Sequence, residues 1–146
     1  MPRKISIVNA ILCEYVGNGN NNKHILVNTF SGDIIAGSLP ATLGFGLYIE
    51  IARTAKNEMV KQLEIEFRLG DQPIFAAGSD MSNGATVFVV PLFQVRIEGP
   101  TTLEVVLRSA GFGETVAIRK SVLLNDPSPI ASPPPSSQSP PDAPAS

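Results

Sequence analysis

Two runs of strictly alternating apolar residues lie close together near the middle of the chain. The first is Leu43, Phe45, Leu47, Ile49 and Ile51; the second is Leu63, Ile65, Phe67 and Leu69. A period of two puts all the apolar side chains on one face of a strand, whereas a helix needs a period near 3.6. These runs read as the two strands around which a small β-sandwich is built. The segment between them, residues 54–59, is polar and reads as a turn. If the two strands form a hairpin, opposite residues keep a constant sum, and core faces match only when that sum is even. A sum of 114 sets Glu50 against Glu64. A sum of 112 sets Phe45 against Phe67, Ile49 against Leu63 and Glu50 against Gln62. Like charges directly opposite are unfavourable and aromatic pairs favourable, so the expected sum is 112.

The rest of the chain supplies more strands of the same kind. Residues 4–16 are rich in β-branched side chains and apolar on both faces, which suits a central strand. Residues 17–23 (GNGNNNK) form a loop, since Gly and Asn tolerate positive φ. Residues 24–30 return as a second strand, giving a long-looped hairpin. Ser31, Gly32 and Asp33 turn the chain, Ile34 and Ile35 form a short edge piece, and Pro40 breaks it. After residues 43–53 and 60–69 comes a tight turn at 70–73, then a short strand at 74–77. Asn83-Gly84 is the dipeptide favoured in type I′ turns. A strand at 86–90 follows, and Pro91 should end it or sit on a sheet edge. Phe93, Val95 and Ile97 alternate with polar residues. Gly99-Pro100 turns, Leu103, Val105 and Leu107 alternate again, residues 111–113 loop, and 115–124 make the last strand. Residues 53–62 are the one helical candidate, at most a turn or two.

Strands at spacings of roughly 8–12 residues separated by turn signals indicate an all-β fold. The expected fold is a single antiparallel β-sandwich of immunoglobulin-like architecture with seven to nine strands. A small β-barrel is the alternative. The absent Cys-Trp-Cys set excludes a true antibody-type domain but not the architecture. The sandwich should occupy residues 1–124. Residues 125–146 carry eight prolines and six serines in 22 positions, with Ile130 as the one large apolar side chain. Such a segment cannot bury enough surface to offset its ordering entropy, so a disordered tail is expected. Pro141 to Pro144 match PxxP, but no arginine flanks them, and a plain tether is the simpler reading.

Few residues of this chain carry chemistry. The 11 basic side chains are scattered and the net charge is −2, which argues against nucleic acid. Cys13 is the single cysteine, so an internal disulfide is excluded and a small buried hydrophobe is expected. His24 is the single histidine and sits where a loop meets a strand. No His-based triad, structural zinc site or phosphate loop can be assembled. Asn20, Asn21 and Asn22 lack acidic neighbours for calcium. No metal or cofactor is expected. Arg3 and Lys4 precede an apolar run that mimics a signal peptide, but Asn9 and Glu14 interrupt it and no small-x-small cleavage site follows. The run is too short to span a bilayer, and the expected location is cytoplasmic.

Two surface constellations stand out. Glu64 and Glu66 share one strand face, a spacing that would permit acid/base hydrolysis. Gln62 and Arg68 continue that face, which favours a solvated charged strip. On the outward face of the first run, Gly44, Gly46 and Tyr48 leave bare backbone beside one aromatic ring. Either the same chain covers the glycines, or the strip is a contact surface for a partner or ligand.

The opening strand at 5–14, Ser31-Gly32-Asp33-Ile34-Ile35, Leu39-Pro40-Ala41-Thr42-Leu43, Leu47-Tyr48-Ile49-Glu50 and Pro91-Leu92 resemble, in their order, an uncharacterised family of small bacterial β-sandwich proteins. The likeness spans residues 4–124. It implies the fold and carries no activity or catalytic residues. The expected function is a non-enzymatic binding or accessory module acting through a protein partner in a bacterial cytoplasm. A structural protomer of a multimeric or phage-like assembly, hence a homo-oligomer, is the runner-up, and a hydrolase using Glu64 and Glu66 a remote third.

Overall fold

The computed structural model describes residues 4–52 and 60–125. Among the described residues there are nine strands: β1 (Ile7–Asn18), β2 (His24–Thr29), β3 (Ile34–Ala36), β4 (Ala41–Ile51), β5 (Gln62–Leu69), β6 (Gln72–Asp80), β7 (Val87–Ile97), β8 (Thr101–Ser109) and β9 (Phe112–Leu124). They form a four-stranded sheet in the order β2-β1-β4-β7 and a five-stranded sheet in the order β3-β9-β8-β5-β6. The two sheets pack face to face as a β-sandwich, and the barrel alternative is not adopted. Pairing is antiparallel except where the short edge strand β3 runs parallel to β9. The helical candidate at 53–62 falls largely, and the tail at 126–146 wholly, outside the described residues.

The expected hairpin between β4 and β5 does not form. β4 pairs with β1 and β7, while β5 pairs with β6 and β8. The period-two pattern gives each strand one apolar face, but two such faces can be buried side by side in one sheet or opposite each other in two. The chain takes the second course, so neither Ile49 nor Glu50 has a partner on β5. Phe45 and Phe67 nonetheless meet, with ring centroids 5.8 Å apart, because they face each other across the sandwich. They anchor a chain of rings running from Phe30 through Phe45 to Phe93 and Phe75. Around it lie Leu12, Leu47, Ile49, Leu63, Ile65, Leu103, Val105 and Leu107, all buried.

Bulges explain where the alternation changes phase. In β7, Phe88 and Val90 face the core on even positions, and Phe93, Val95 and Ile97 on odd ones. The switch falls at Pro91 and Leu92, where the register against β4 slips between Phe45 and Leu47. One extra residue reverses the faces beyond it. What reads as two strands, 86–90 and 93–97, is therefore one, and Pro91 sits within an edge strand. β1 is central as expected, and it too slips, between Ile7 and Asn9. That shift accounts for its apolar residues falling on both parities. β6 runs from Gln72 to Asp80, longer than the expected 74–77.

Asn83-Gly84 is not a type I′ turn. That turn requires positive φ at both residues, and only Gly84 has it, at 87°. The connection carries the chain from β6 in one sheet to β7 in the other, so no hairpin is called for. Buried Met81 anchors it, donating its N–H to the Lys61 carbonyl at 2.6 Å. In the 17–23 loop, Asn21 and Asn22 do adopt positive φ, 57° and 60°.

Candidate contact surface

Gly44, Gly46 and Tyr48 lie on the outer face of β4, between the core-facing Phe45, Leu47 and Ile49. The two glycines are not bare. A Cβ on Gly46 would stand 2.8 Å from the Pro91 carbonyl oxygen, 2.9 Å from Val16 N and 3.0 Å from the Tyr15 carbonyl carbon. β1 and the β7 bulge thus close over β4 from both sides, and only a residue without a side chain fits beneath them. A Cβ on Gly44 would touch Leu92 Cδ1 at 3.5 Å, so Leu92 lies over that position. Tyr48 is half-buried, its ring edge-on to His24 with centroids 5.5 Å apart. Burial, and then the nearby Glu50 carboxylate, push its phenol pKa up.

Beside this closure lies Cys13, fully buried. Its thiol donates toward the Tyr15 carbonyl at 3.3 Å and the Gly46 carbonyl at 3.6 Å. Burial pushes the thiol pKa up, so the nucleophilic thiolate is disfavoured. The small-hydrophobe expectation for Cys13 is met.

What the outer face does present is aliphatic. β1 and β2 align Tyr15 with Val27 and Gly17 with Ile25, so these residues share that face. Tyr15 (45% exposed), Ile25 (54%), Val27 (39%) and Leu92 (54%) stand in solvent around the glycine strip. Sequence reading missed Ile25, Val27 and Leu92. The uncharged stretch His24–Thr29 was the available signal for the first two. Leu92 could not be placed without knowing the bulge.

The outer face of the five-stranded sheet is of the opposite kind. Arg108 on β8 reaches Glu66 Oε1 at 2.6 Å, Glu64 Oε1 at 3.3 Å and Glu114 Oε2 at 3.4 Å. Arg68 pairs with Glu66 and, at 3.4 Å, with Glu114. Arg119 bonds Glu104 at 2.6 Å. Register makes two of these contacts, since Glu64 stands opposite Arg108 and Glu104 opposite Arg119. Val106 lies within this group on the outward parity of β8, yet it is fully buried. It stands between Glu66 on β5 and Val116 on β9.

The Glu64–Glu66 pair is thus held by arginines. The hydrogen bond from Arg68 is the largest influence on Glu66 and, with Arg108, holds its carboxyl below the usual carboxylate range. A general acid needs the opposite shift. The depression beside the pair, about 310 Å³, is lined by Gln62, Glu64, Arg108, Phe112 and Glu114 among others. Among the described residues, no three His, Cys, Asp or Glu side chains are grouped to hold a metal ion. No helix among them is long and apolar enough to cross a membrane. The chain matches no protein-family model and no curated protein.

Proposed function

We propose that this chain is a non-enzymatic binding or accessory module that acts through a protein partner, with the outer face of the four-stranded sheet as its contact surface. The observation that carries the reading is the difference between the two outer faces. One is filled by arginine–glutamate pairs that satisfy each other. The other exposes Tyr15, Ile25, Val27 and Leu92 with little charge among them. Apolar side chains grouped on a sheet face are the usual mark of a protein contact. Tyr48 contributes a half-buried ring to that surface. Gly44 and Gly46 contribute indirectly, by letting Leu92 and the β1 backbone lie close over β4.

The test uses the full chain as bait in a lysate of its source. A recovered protein is identified and rebuilt as a purified binary complex, and affinity is measured by calorimetry. Leu92→Asp should weaken binding tenfold or more, and Arg119→Ala on the outer face of the other sheet should leave it unchanged. Equal affinity for wild type and Leu92→Asp would sink the assignment of this face. Robust turnover of a substrate would sink the non-enzymatic reading. The proposal also carries a bacterial cytoplasmic setting, which the single unpaired thiol of Cys13 supports.

A further inference from the structure

β2 covers only part of β1. β1 is twelve residues long and β2 six, and their register runs from Asn18 opposite His24 to Cys13 opposite Thr29. Phe30 then donates its N–H to the Leu12 carbonyl at 2.9 Å and turns its ring to Phe45, with centroids 5.6 Å apart. Ser31, Gly32 and Asp33 carry the chain across to β3 in the other sheet. Among the described residues no strand pairs with Ile7 to Ile11 on the side away from β4.

Two sets of contacts agree on which main-chain groups point to that side. Ala52 N donates to the Ser6 carbonyl and Ile51 N to the Thr86 carbonyl, both at 2.8 Å. Even-numbered residues at this end of β4 therefore face β1, and odd-numbered ones face β7. Glu50 and Tyr48 then form hydrogen-bonded pairs with Asn9 and Ile11. Ala10, between them, directs its N–H and C=O away from β4. The Leu12 carbonyl, two residues on, points the same way, to Phe30 N.

Beside this margin a groove of about 460 Å³ opens between β1 and β9, within the size range of ligand sites. Ala10, Leu12, Phe30, Ala117 and Ile118 are among its walls, and the short side chains of the two alanines leave it room. Lys120 lines it too. That lysine shares the core-facing parity of β9 with buried Ile118 and Val122. Its Nζ donates to the Gly32 carbonyl at 2.9 Å, and among the described residues no carboxylate pairs with it. Neighbouring Arg119 is held on the outer face by Glu104. Among the described residues no Asp or Glu lines the groove.

We propose that this groove takes an extended, acidic segment of a partner protein, added as a strand beside the uncovered part of β1. Three features select that occupant. The N–H and C=O of Ala10 are matched by a main chain running alongside, the mode of strand addition to an open margin. The apolar walls take an aliphatic side chain between the sheets. The Lys120 ammonium, with no opposing carboxylate on its own chain among the described residues, takes an Asp or Glu side chain. Alternate side chains of a strand share a face, so the aliphatic residue and the acid stand two positions apart in the partner. Few main-chain groups are on offer, so binding is reversible, in the micromolar to millimolar range. The proposal goes beyond the contact-face reading and shares no residue with it.

The experiment pans a library of random short peptides against the full chain. Enriched sequences should carry an aliphatic residue and an Asp or Glu two positions apart. A synthetic peptide of enriched sequence, titrated by NMR, should slow amide exchange at Ala10 and shift Lys120. Lys120→Glu, with an unchanged circular dichroism spectrum, should weaken that peptide about tenfold or more. N-methylation along the peptide should weaken binding at alternate positions only, because a paired strand directs every second N–H to its neighbour; this readout needs no protein variant. No enrichment over the uncoated support overturns the proposal. So does a peptide whose affinity Lys120→Glu leaves intact, or one that N-methylation affects at no position or at all alike. An Ala10 amide already protected in the free chain also overturns it, since the chain's own residues would then hold the margin. The contact-face reading is scored separately by Leu92→Asp on β7, which should leave peptide binding unchanged.

Discussion

Gly46 is the position where the backbone of three strands converges. Its missing side chain is required by atoms that cannot move aside cheaply, since Pro91 O, Val16 N and the Tyr15 carbonyl carbon are all main chain. Gly46→Ala should therefore destabilise the fold by about 1–3 kcal/mol, the usual cost of forcing extra volume into a packed site. Gly44→Ala meets only the tip of Leu92 at ordinary van der Waals distance. It should be neutral or slightly stabilising, within about 0.5 kcal/mol. Urea unfolding of the two variants checks the contrast, and equal effects would contradict the closure over β4. Glu66 gives a residue-scale prediction of a different kind. Its folded pKa lies below the ordinary value near 4.5, because Arg68 and then Arg108 bond the ionised carboxyl. A depressed acid stabilises the folded state above its unfolded pKa, and that contribution is lost as pH falls through the folded pKa. Glu66→Gln should thus be less stable than wild type at neutral pH, with the gap closing below the ordinary value. A gap that stays constant or widens toward acid would contradict the role assigned to the two arginines. Using the difference between the two proteins cancels Asp80, whose carboxyl is held low by Ser82 and pulls in the same direction.

At the scale of elements, local pattern and pairing part company. Strand existence was legible because alternation is local: the apolar faces of β4, β5, β7 and β8 can be read from their own residues. Pairing was not, because Leu43 to Ile51 and Leu63 to Leu69 present the same pattern whether they lie in one sheet or in two. The same limit applies to the contact surface. Gly44, Gly46 and Tyr48 were correctly placed on the outward face of β4, but which strands close over them depends on a bulge at Pro91-Leu92 that a sequence shows only as a change of phase. The carboxylate pair was legible as a surface strip, and its arginine partners were not, since Arg108 comes from β8, far along the chain. The facing arrangement makes its own prediction. Phe45 on β4 and Phe67 on β5 contact across the core with no backbone pairing between their strands. Each single substitution to alanine should cost about 3–5 kcal/mol. A double-mutant cycle to leucine should yield a coupling of about 0.5–1.5 kcal/mol, the range for an aromatic pair beyond its burial. A coupling of zero would mean that the rings do not meet.

For the whole molecule the governing fact is that the described core is closed by its own strands. Ile34 of β3 and Val122 of β9 are both buried and paired, and the last backbone bond at this end runs from Asn125 N to the Ala36 carbonyl at 2.7 Å. Among the described residues every strand of both sheets lies at or before Leu124. The proline- and serine-rich sequence after that point offers almost no apolar surface to bury. A chain ending at Asn125 should keep the β-sheet circular dichroism spectrum and unfold within about 2 °C of the full chain, a shift of well under 1 kcal/mol for a domain of this size. A large loss of melting temperature would show that residues 126–146 complete the core.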